Sequence, residues 1–226
     1  MSTVDFSQLL PPSLITELSY EAIFTKRKES FISLYDASEQ QAVRELLQRE
    51  SEPVVKLLQE NAYLEMLYQA KCNADARSLL LAYAEKSDLD HLALTEYGLT
   101  RLVVTPADNT VIPPVEAVYE SDERLRERCI LSFDGMNTAG SANAYRYFTL
   151  SADGRVDGIK VKSDEATPCF LDIVITQVDS ENGAASEELI QIVQTALDPD
   201  TVRPVGDRPT VKSSIATNYQ IEASLY

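Results

Sequence analysis

The spacing of apolar residues changes once along this chain, and the change limits the folds that the chain can adopt. In the N-terminal third the apolar residues recur at helical spacing, as in Leu14, Leu18 and Ala22. After residue 150 they follow the pattern of strands, over 156–161 and again over 170–178. A helical part is therefore expected to precede a part that combines strands with helices.

A proline-containing segment separates the two patterns. Residues 101–118 begin with a β-branched run around Val103, and Pro106, Pro113 and Pro114 prevent a continuous helix. We therefore predict three parts: a helical domain at 1–100, an extended linker or arm at 101–118, and an α+β domain at 119–226.

The α+β domain is predicted to follow the order α-β-β-α-β-β in a sandwich-like arrangement. Ser121 and Ser186 are suitable N-caps for its helices. Its two final strands contain Val211, Ile215, Tyr219, Ile221 and Leu225. Because the alternation continues almost to Tyr226, we expect a C-terminally truncated chain whose bare apolar surface promotes self-association.

One helix, predicted from Pro53 to Ala70, is apolar on more than one face. Proline is suitable for the first turn of a helix because its missing N–H would have no partner there. Packing in the core is the favoured interpretation, since buried helices are apolar all round. The alternative is an exposed surface for a partner protein, which would be formed by Leu57, Leu64, Leu67 and Tyr68.

The chain is strongly acidic. Its 36 Asp and Glu residues against 20 Lys and Arg residues give a formal net charge of -16. Such a charge repels phosphate backbones and anionic lipids, so neither nucleic acid nor a membrane is predicted as a partner. The separated cysteines Cys72, Cys129 and Cys169 have neither disulfide-framework nor zinc-site spacing, and they favour a reducing compartment.

The sequence contains no recognisable catalytic or cofactor-binding arrangement. Its single histidine, His91, has Asp88 and Asp90 as sequence neighbours, but on a helix these side chains point to different faces. A structural histidine is therefore favoured. The abundant carboxylates leave one enzymatic alternative open, a hydrolase that uses acidic residues either alone or with a divalent cation.

Four segments, in order along the chain, resemble one known family. They are ESEPVVKLLQENAY from residue 50, SDLDHLALTEYGLTRLVVTPADN from residue 87, LSADGRV from residue 150 and VRPVGDRPTV from residue 202. Together they resemble the baseplate assembly protein J family of contractile-tailed phages, over nearly the whole chain. The resemblance also implies a missing C-terminal portion, since family members usually extend further.

The resemblance implies a structural role with no catalysis and no cofactor. Several copies would form the wedges that surround the central hub of a virion tail baseplate, assembled in the cytoplasm of the bacterial host. The implied partners are other baseplate wedge and hub proteins, including tail protein I and lysozyme-like wedge proteins. Arg203, Pro204 and Asp207, with the segment from Leu150 to Val156, match family motifs, and the family assigns no chemistry to them.

Overall fold

The computed structural model describes residues 17–136 and 140–217, except for the side chain of Asp164. These residues fall into two compact units, which meet in the sequence between Ala84 and Glu85. Leu14 of the predicted first helix and the predicted last strand around Ile221 lie outside the described residues.

The first unit is helical, and its helices are α1 (Tyr20–Ile32), α2 (Gln40–Leu46) and α3 (Pro53–Ser78). Ser19 caps α1 by accepting a 3.3 Å hydrogen bond from the backbone N–H of Ala22. Pro53 occupies the first turn of α3, as the sequence predicts. A small core joins these elements and contains Ile32, Leu47, Val55 and Leu58.

The second unit begins with helix α4 (Lys86–Tyr97), which ends at Gly98 with a φ of 66°. Leu89 and Ala93 of α4 are fully buried. They face the second unit because α4 packs against α5 (Asp122–Gly135). Residues 85–100 therefore belong to this unit, whereas the predicted division assigned them to the helical domain. Periodicity alone does not reveal which neighbour will cover the apolar face of a helix.

The segment predicted as an extended linker or arm is a short two-stranded arm within the second unit. Strands β1 (Val103–Thr105) and β2 (Val118–Tyr119) pair antiparallel, and a bridge between Asp108 and Val115 continues the pairing towards the tip. Ile112 at the tip is 98% exposed. The chain therefore runs out and returns here, and both ends of the segment lie in the same unit.

The remainder of the second unit is an α+β structure with one three-stranded sheet. Its further elements are α6 (Ala142–Ala152), β3 (Val156–Asp164), β4 (Thr167–Gln177), α7 (Glu187–Leu197) and β5 (Arg208–Ser213). The strand order is β3-β4-β5, with the first pair antiparallel and the second parallel. A parallel pair needs a crossover, and α7 supplies it. The α+β class is confirmed, although two helices rather than one precede β3, and only β5 follows α7 within the described residues.

One face of the sheet carries the core. Leu171, Ile173 and Ile175 alternate along β4 and are buried, because alternate residues of a strand point to the same face. Side chains of α6 and α7 pack on them, and the same cluster includes Tyr145, Leu150, Val156, Leu189, Val193, Leu197 and Val211. Ser141 and Ser186 cap α6 and α7 through backbone N–H groups of the following turn, at 3.1 Å and 3.3 Å.

Candidate functional site

The candidate interface residues lie together on α3. Leu57, Leu64 and Tyr68 are separated by seven and four residues, which places them on one face of a helix with 3.6 residues per turn. Leu67 lies beside this row. These four residues are called the α3 stripe below.

All four side chains of the α3 stripe are exposed: Leu57 by 57%, Leu64 by 54%, Leu67 by 46% and Tyr68 by 69%. The buried residues of the same helix, such as Leu58 and Ala62, occupy a different face. The helix therefore divides its apolar residues between the core and the surface. A run of large exposed apolar side chains is uncommon on a protein that works alone, because it remains in contact with water.

The α3 stripe is displayed on a helix that is held firmly from its other side. Val55 and Leu58 enter the small core of the first unit, and the guanidinium of Arg27 on α1 contacts the carboxylate of Glu65 at 2.6 Å. A partner would therefore meet a preformed surface, and a preformed surface reduces the entropic cost of binding.

The motif residues Arg203, Pro204 and Asp207 form a structural turn between α7 and β5. Arg203 Nε donates a 2.9 Å hydrogen bond to the carbonyl of Asp198, the C-cap residue of α7. Its Nη1 donates a 3.1 Å bond to the carbonyl of Asp207. Pro204 lies close to Gly140, where an added Cβ would stand 2.7 Å from the proline Cγ. The turn joins the end of α7 to the start of β5.

The second motif, from Leu150 to Val156, is held by a buried arginine. Arg124 of α5 donates hydrogen bonds of 3.0, 2.7 and 2.8 Å to the carbonyls of Leu150, Asp153 and Gly154. These are carbonyls at the end of α6, which lack partners within the helix. Gly154 also lies against β1, because a Cβ there would stand 2.3 Å from the carbonyl oxygen of Val103. The motif therefore marks a helix end, a close backbone approach and the start of β3.

A buried charge cluster, which the sequence analysis missed, lies beside this motif. Glu120 is fully buried as a side chain, and its carboxylate accepts a hydrogen bond from Arg128. The same carboxylate lies 3.2 Å from Arg124 Nε and accepts a 3.0 Å bond from the backbone N–H of Leu102. Arg124 and Arg128 lie four residues apart on α5, whereas Glu120 precedes the N-cap Ser121, so the sequence spacing alone does not show that the three side chains meet in the interior.

Several side chains of the second unit, among them a carboxyl, a phenol and a thiol, have pKa values shifted from their usual ranges. For Asp122, burial raises the pKa, but hydrogen bonds from the Lys86 backbone N–H and from Arg101 outweigh burial and lower the pKa overall. Burial, followed by a hydrogen bond to Asp207, raises the pKa of Tyr145. Burial also raises the pKa of the Cys129 thiol to about 11, so this cysteine stays protonated and unreactive.

The structure gives no support to a hydrolase. His91 is exposed, and Asp90 beside it is paired with Arg101 at 2.7 Å. Among the described residues, no group of three or more His, Cys, Asp or Glu side chains is arranged to hold a metal ion. The same part of the chain contains no helix that is long and apolar enough to cross a bilayer.

Comparison with known proteins identifies the family. The model of the Baseplate J-like N-terminal domain matches residues 50–108, and that of the Baseplate J-like central domain matches residues 137–213. The first match contains the α3 stripe, and the second contains both the Arg203 turn and the motif at Gly154. A protein named "Baseplate protein J" from Escherichia phage P2 is 45% identical over 226 residues, which cover 100% of this chain and 74% of the relative. The chain therefore belongs to the baseplate J-like family.

Proposed function

We propose that this chain is a wedge subunit of a contractile phage-tail baseplate and that it works through protein interfaces and not through catalysis. Membership of the baseplate J-like family supports a structural role in the baseplate. The observation that supports an interface is the exposure of the α3 stripe. Its residues Leu57, Leu64 and Tyr68 lie on one face of α3.

The α3 stripe suits a partner that buries apolar surface. Burying one large aliphatic or aromatic side chain contributes about 1.5–3 kcal/mol, and hot spots in interfaces often consist of a few such residues. Tyr68 adds a hydroxyl at the edge of the stripe, where a polar rim is expected. An apolar helix or groove on another baseplate protein is the matching surface.

The partners proposed for this chain are other wedge and hub proteins, including tail protein I and lysozyme-like wedge proteins, together with further copies of the chain itself. Assembly would take place in the cytoplasm of the bacterial host before the subunit enters the virion baseplate. The acidic net charge of -16 favours protein partners over nucleic acid or anionic lipid.

The test is co-expression of the chain with the products of neighbouring tail genes, followed by affinity capture of the chain. The informative variant is Leu64→Ser in the α3 stripe, and the control is Leu94→Ser on α4, because the two leucines are almost equally exposed, at 54% and 56%. We expect capture of one or more tail proteins that Leu64→Ser reduces at least about tenfold and Leu94→Ser leaves unchanged.

Two results would contradict the proposal. If no tail protein is captured by the unaltered chain, a role in the wedge loses its support. If capture is equal for both variants, the chain binds its partners elsewhere and the α3 stripe is not the interface.

A further inference from the structure

The outer face of the three-stranded sheet is basic, although the chain as a whole is acidic. Residues paired across a sheet point to the same side, and the register places Lys160 opposite Val174 and Lys162 opposite Asp172. On the other flank, Arg208 pairs with Phe170 and Lys212 with Val174. All of these residues point away from the core, since Leu171, Ile173 and Ile175 point inwards. We call this surface the basic sheet face. It consists of Lys160, Lys162, Phe170, Val174, Arg208 and Lys212.

The basic sheet face has the composition of an interface. Its four cations surround Phe170, which is 61% exposed, and Val174. One acid, Asp172, lies among them and pairs with Lys212 at 2.6 Å. Along the central strand β4 the outward residues are Phe170, Asp172 and Val174, with the cations on the two flanking strands. Aromatic residues such as Phe170 are enriched in protein interfaces.

The opposite layer of the same unit is acidic. Residues 178–202, which follow β4 and contain α7, include six Asp and Glu residues and no Lys or Arg. Helix α7, which covers the inner side of the sheet, exposes Glu187 and Glu188 in its first turn, and Glu181 and Asp200 near its two ends are exposed as well. These four residues are called the acidic helix side. Two of them lie near arginines of the same unit, Glu188 at 3.2 Å from Arg155 and Asp200 at 4.0 Å from Arg203. Carboxylates therefore predominate on the helix side, as cations do on the sheet face.

We infer that copies of this chain associate head to tail, with the basic sheet face of one copy bound to the acidic helix side of the next. A symmetric contact of sheet face against sheet face would oppose like charges, which costs several kcal/mol in an interface. In a head-to-tail contact, each pair of copies keeps one basic face and one acidic side unbound. Further copies can therefore add, and the assembly becomes either a closed ring or an open stack. This inference rests on the self-association proposed above and specifies which two surfaces form the contact. The α3 stripe is not one of them.

A nucleic acid is the less favourable occupant of the same cations. A phosphate backbone would meet the repulsion of the whole chain, whose charge is -16, with a charge density far above that of a protein surface. Phe170 and Val174 would also have no role in a contact made only with phosphates. The acidic helix side of a second copy offers carboxylates at the lower charge density of a protein surface.

The test uses sedimentation velocity of the full 226-residue chain over a range of concentrations, at low and at moderate salt. Variant A carries Lys160→Glu and Lys162→Glu on the basic sheet face, and variant B carries Glu181→Lys and Glu187→Lys on the acidic helix side. The control for variant A is Lys56→Glu with Lys71→Glu, two exposed lysines of the first unit that change the net charge equally. Circular dichroism checks that each variant is folded.

We expect the unaltered chain to associate, with an association constant that falls at least about tenfold as salt screens the contact. Variants A and B should each be monomeric, and the control should associate like the unaltered chain. An equimolar mixture of A and B should associate again, because each then offers the surface that the other lacks. The mixture is the decisive arm, since mere damage to either surface would not be repaired by mixing.

Four outcomes would overturn the inference. The first is a chain that stays monomeric at every concentration, and the second is an association that variant A does not weaken more than its control. The third is failure of the A and B mixture to associate although both variants are folded. If a short duplex DNA binds the chain at moderate salt and variant A abolishes that binding while self-association persists, the basic face serves nucleic acid and the inference is also wrong. Loss of tail-protein capture by Leu64→Ser remains a separate result, so each proposal can fail without the other.

Discussion

Tyr145 on α6 donates a 2.6 Å hydrogen bond from its hydroxyl to Oδ2 of Asp207, 62 residues further along the chain. The contact joins the helix that covers the sheet to the turn that starts β5. Arg203 donates to the backbone carbonyl of the same aspartate. The family motif at Arg203, Pro204 and Asp207 therefore has a structural explanation. Its hydrogen bonds connect α6, the C-terminal end of α7 and the start of β5.

Replacing Tyr145 with Phe should lower the free energy of unfolding by about 2 kcal/mol, the usual loss for a hydrogen bond to a charged group. The side chain is only 1% exposed, so water cannot replace the lost donor to Asp207. Chemical denaturation at neutral pH measures the effect. Tyr68→Phe, at an exposed tyrosine, is the control and should change little. Equal losses in both variants would mean that the Asp207 contact has no special weight.

The same variant should also change the response to alkali. Burial and the contact with Asp207 raise the pKa of Tyr145 in the folded state, so a tyrosine in the unfolded chain ionises first, near pH 10. The contribution of Tyr145 to stability is therefore complete below about pH 10 and decreases as the pH rises further. Tyr145→Phe should consequently lose less stability than the unaltered chain between about pH 10 and 11.

Glu120 is the carboxylate on which two buried arginines depend. Glu120→Ala leaves Arg128 and Arg124 in the interior without their counter-charge, and breaking a buried pair in this way costs about 3–5 kcal/mol. Glu123→Ala in the first turn of α5 is the matched control, because that glutamate is exposed, and a change within about 0.5 kcal/mol is expected. Urea denaturation distinguishes the two, and a cost below about 1 kcal/mol for Glu120→Ala would refute a stabilising role for the cluster.

Gly154 is required because of the backbone of β1. A methyl group at this position would stand 2.3 Å from the carbonyl oxygen of Val103, and a paired strand cannot move aside as a flexible side chain can. Gly154→Ala should therefore destabilise the protein by about 1–3 kcal/mol or more. Gly206→Ala provides the control, since nothing lies within 4 Å of an added Cβ there. A thermal melt in which both variants unfold at the same temperature would show that β1 adjusts without cost.

Asp122 should make the protein sensitive to acid. Its pKa is lowered overall, because the hydrogen bonds from Lys86 and Arg101 outweigh burial. A carboxyl group with a lowered pKa in the folded state adds stability above the unfolded pKa of about 4 and loses that contribution as the pH falls through its folded value. Asp122→Asn should therefore reduce stability at neutral pH and flatten the decrease in stability below pH 4. Denaturation curves at pH 7 and pH 3 test the sign, and an unchanged slope with acid would contradict it.

The sequence predicted those parts of the fold that depend on local rules. Pro53 at the start of α3, Ser121 before α5 and Ser186 before α7 were each identified from the backbone N–H groups at a helix start. The structure groups α4 with the second unit, which periodicity could not indicate, since an amphipathic helix does not specify which surface covers it. The Glu120 cluster was missed for a related reason: its members are ordinary charged residues until the fold excludes water from them.

The arm between residues 105 and 118 allows a direct test of where the chain divides. The periodicity places the linker at 101–118, whereas the structure ties both ends of that segment to the second unit. Arg101 donates to Asp122 at 2.6 Å and to the carbonyl of Glu120 at 2.7 Å, and β1 pairs with β2 across the base of the arm.

Elastase, which cleaves after small apolar residues, should cut the exposed tip near Val111 first, because Ile112 beside it is 98% exposed. We expect the nicked chain to elute as one particle in size-exclusion chromatography under native conditions and to separate into two fragments only in denaturant. The reason is that Arg101, the β1–β2 pair and the burial of Leu89 hold residues 85–105 on the second unit after the cut. Release of a free N-terminal fragment under native conditions would instead show that the segment 101–118 is a linker between independent domains.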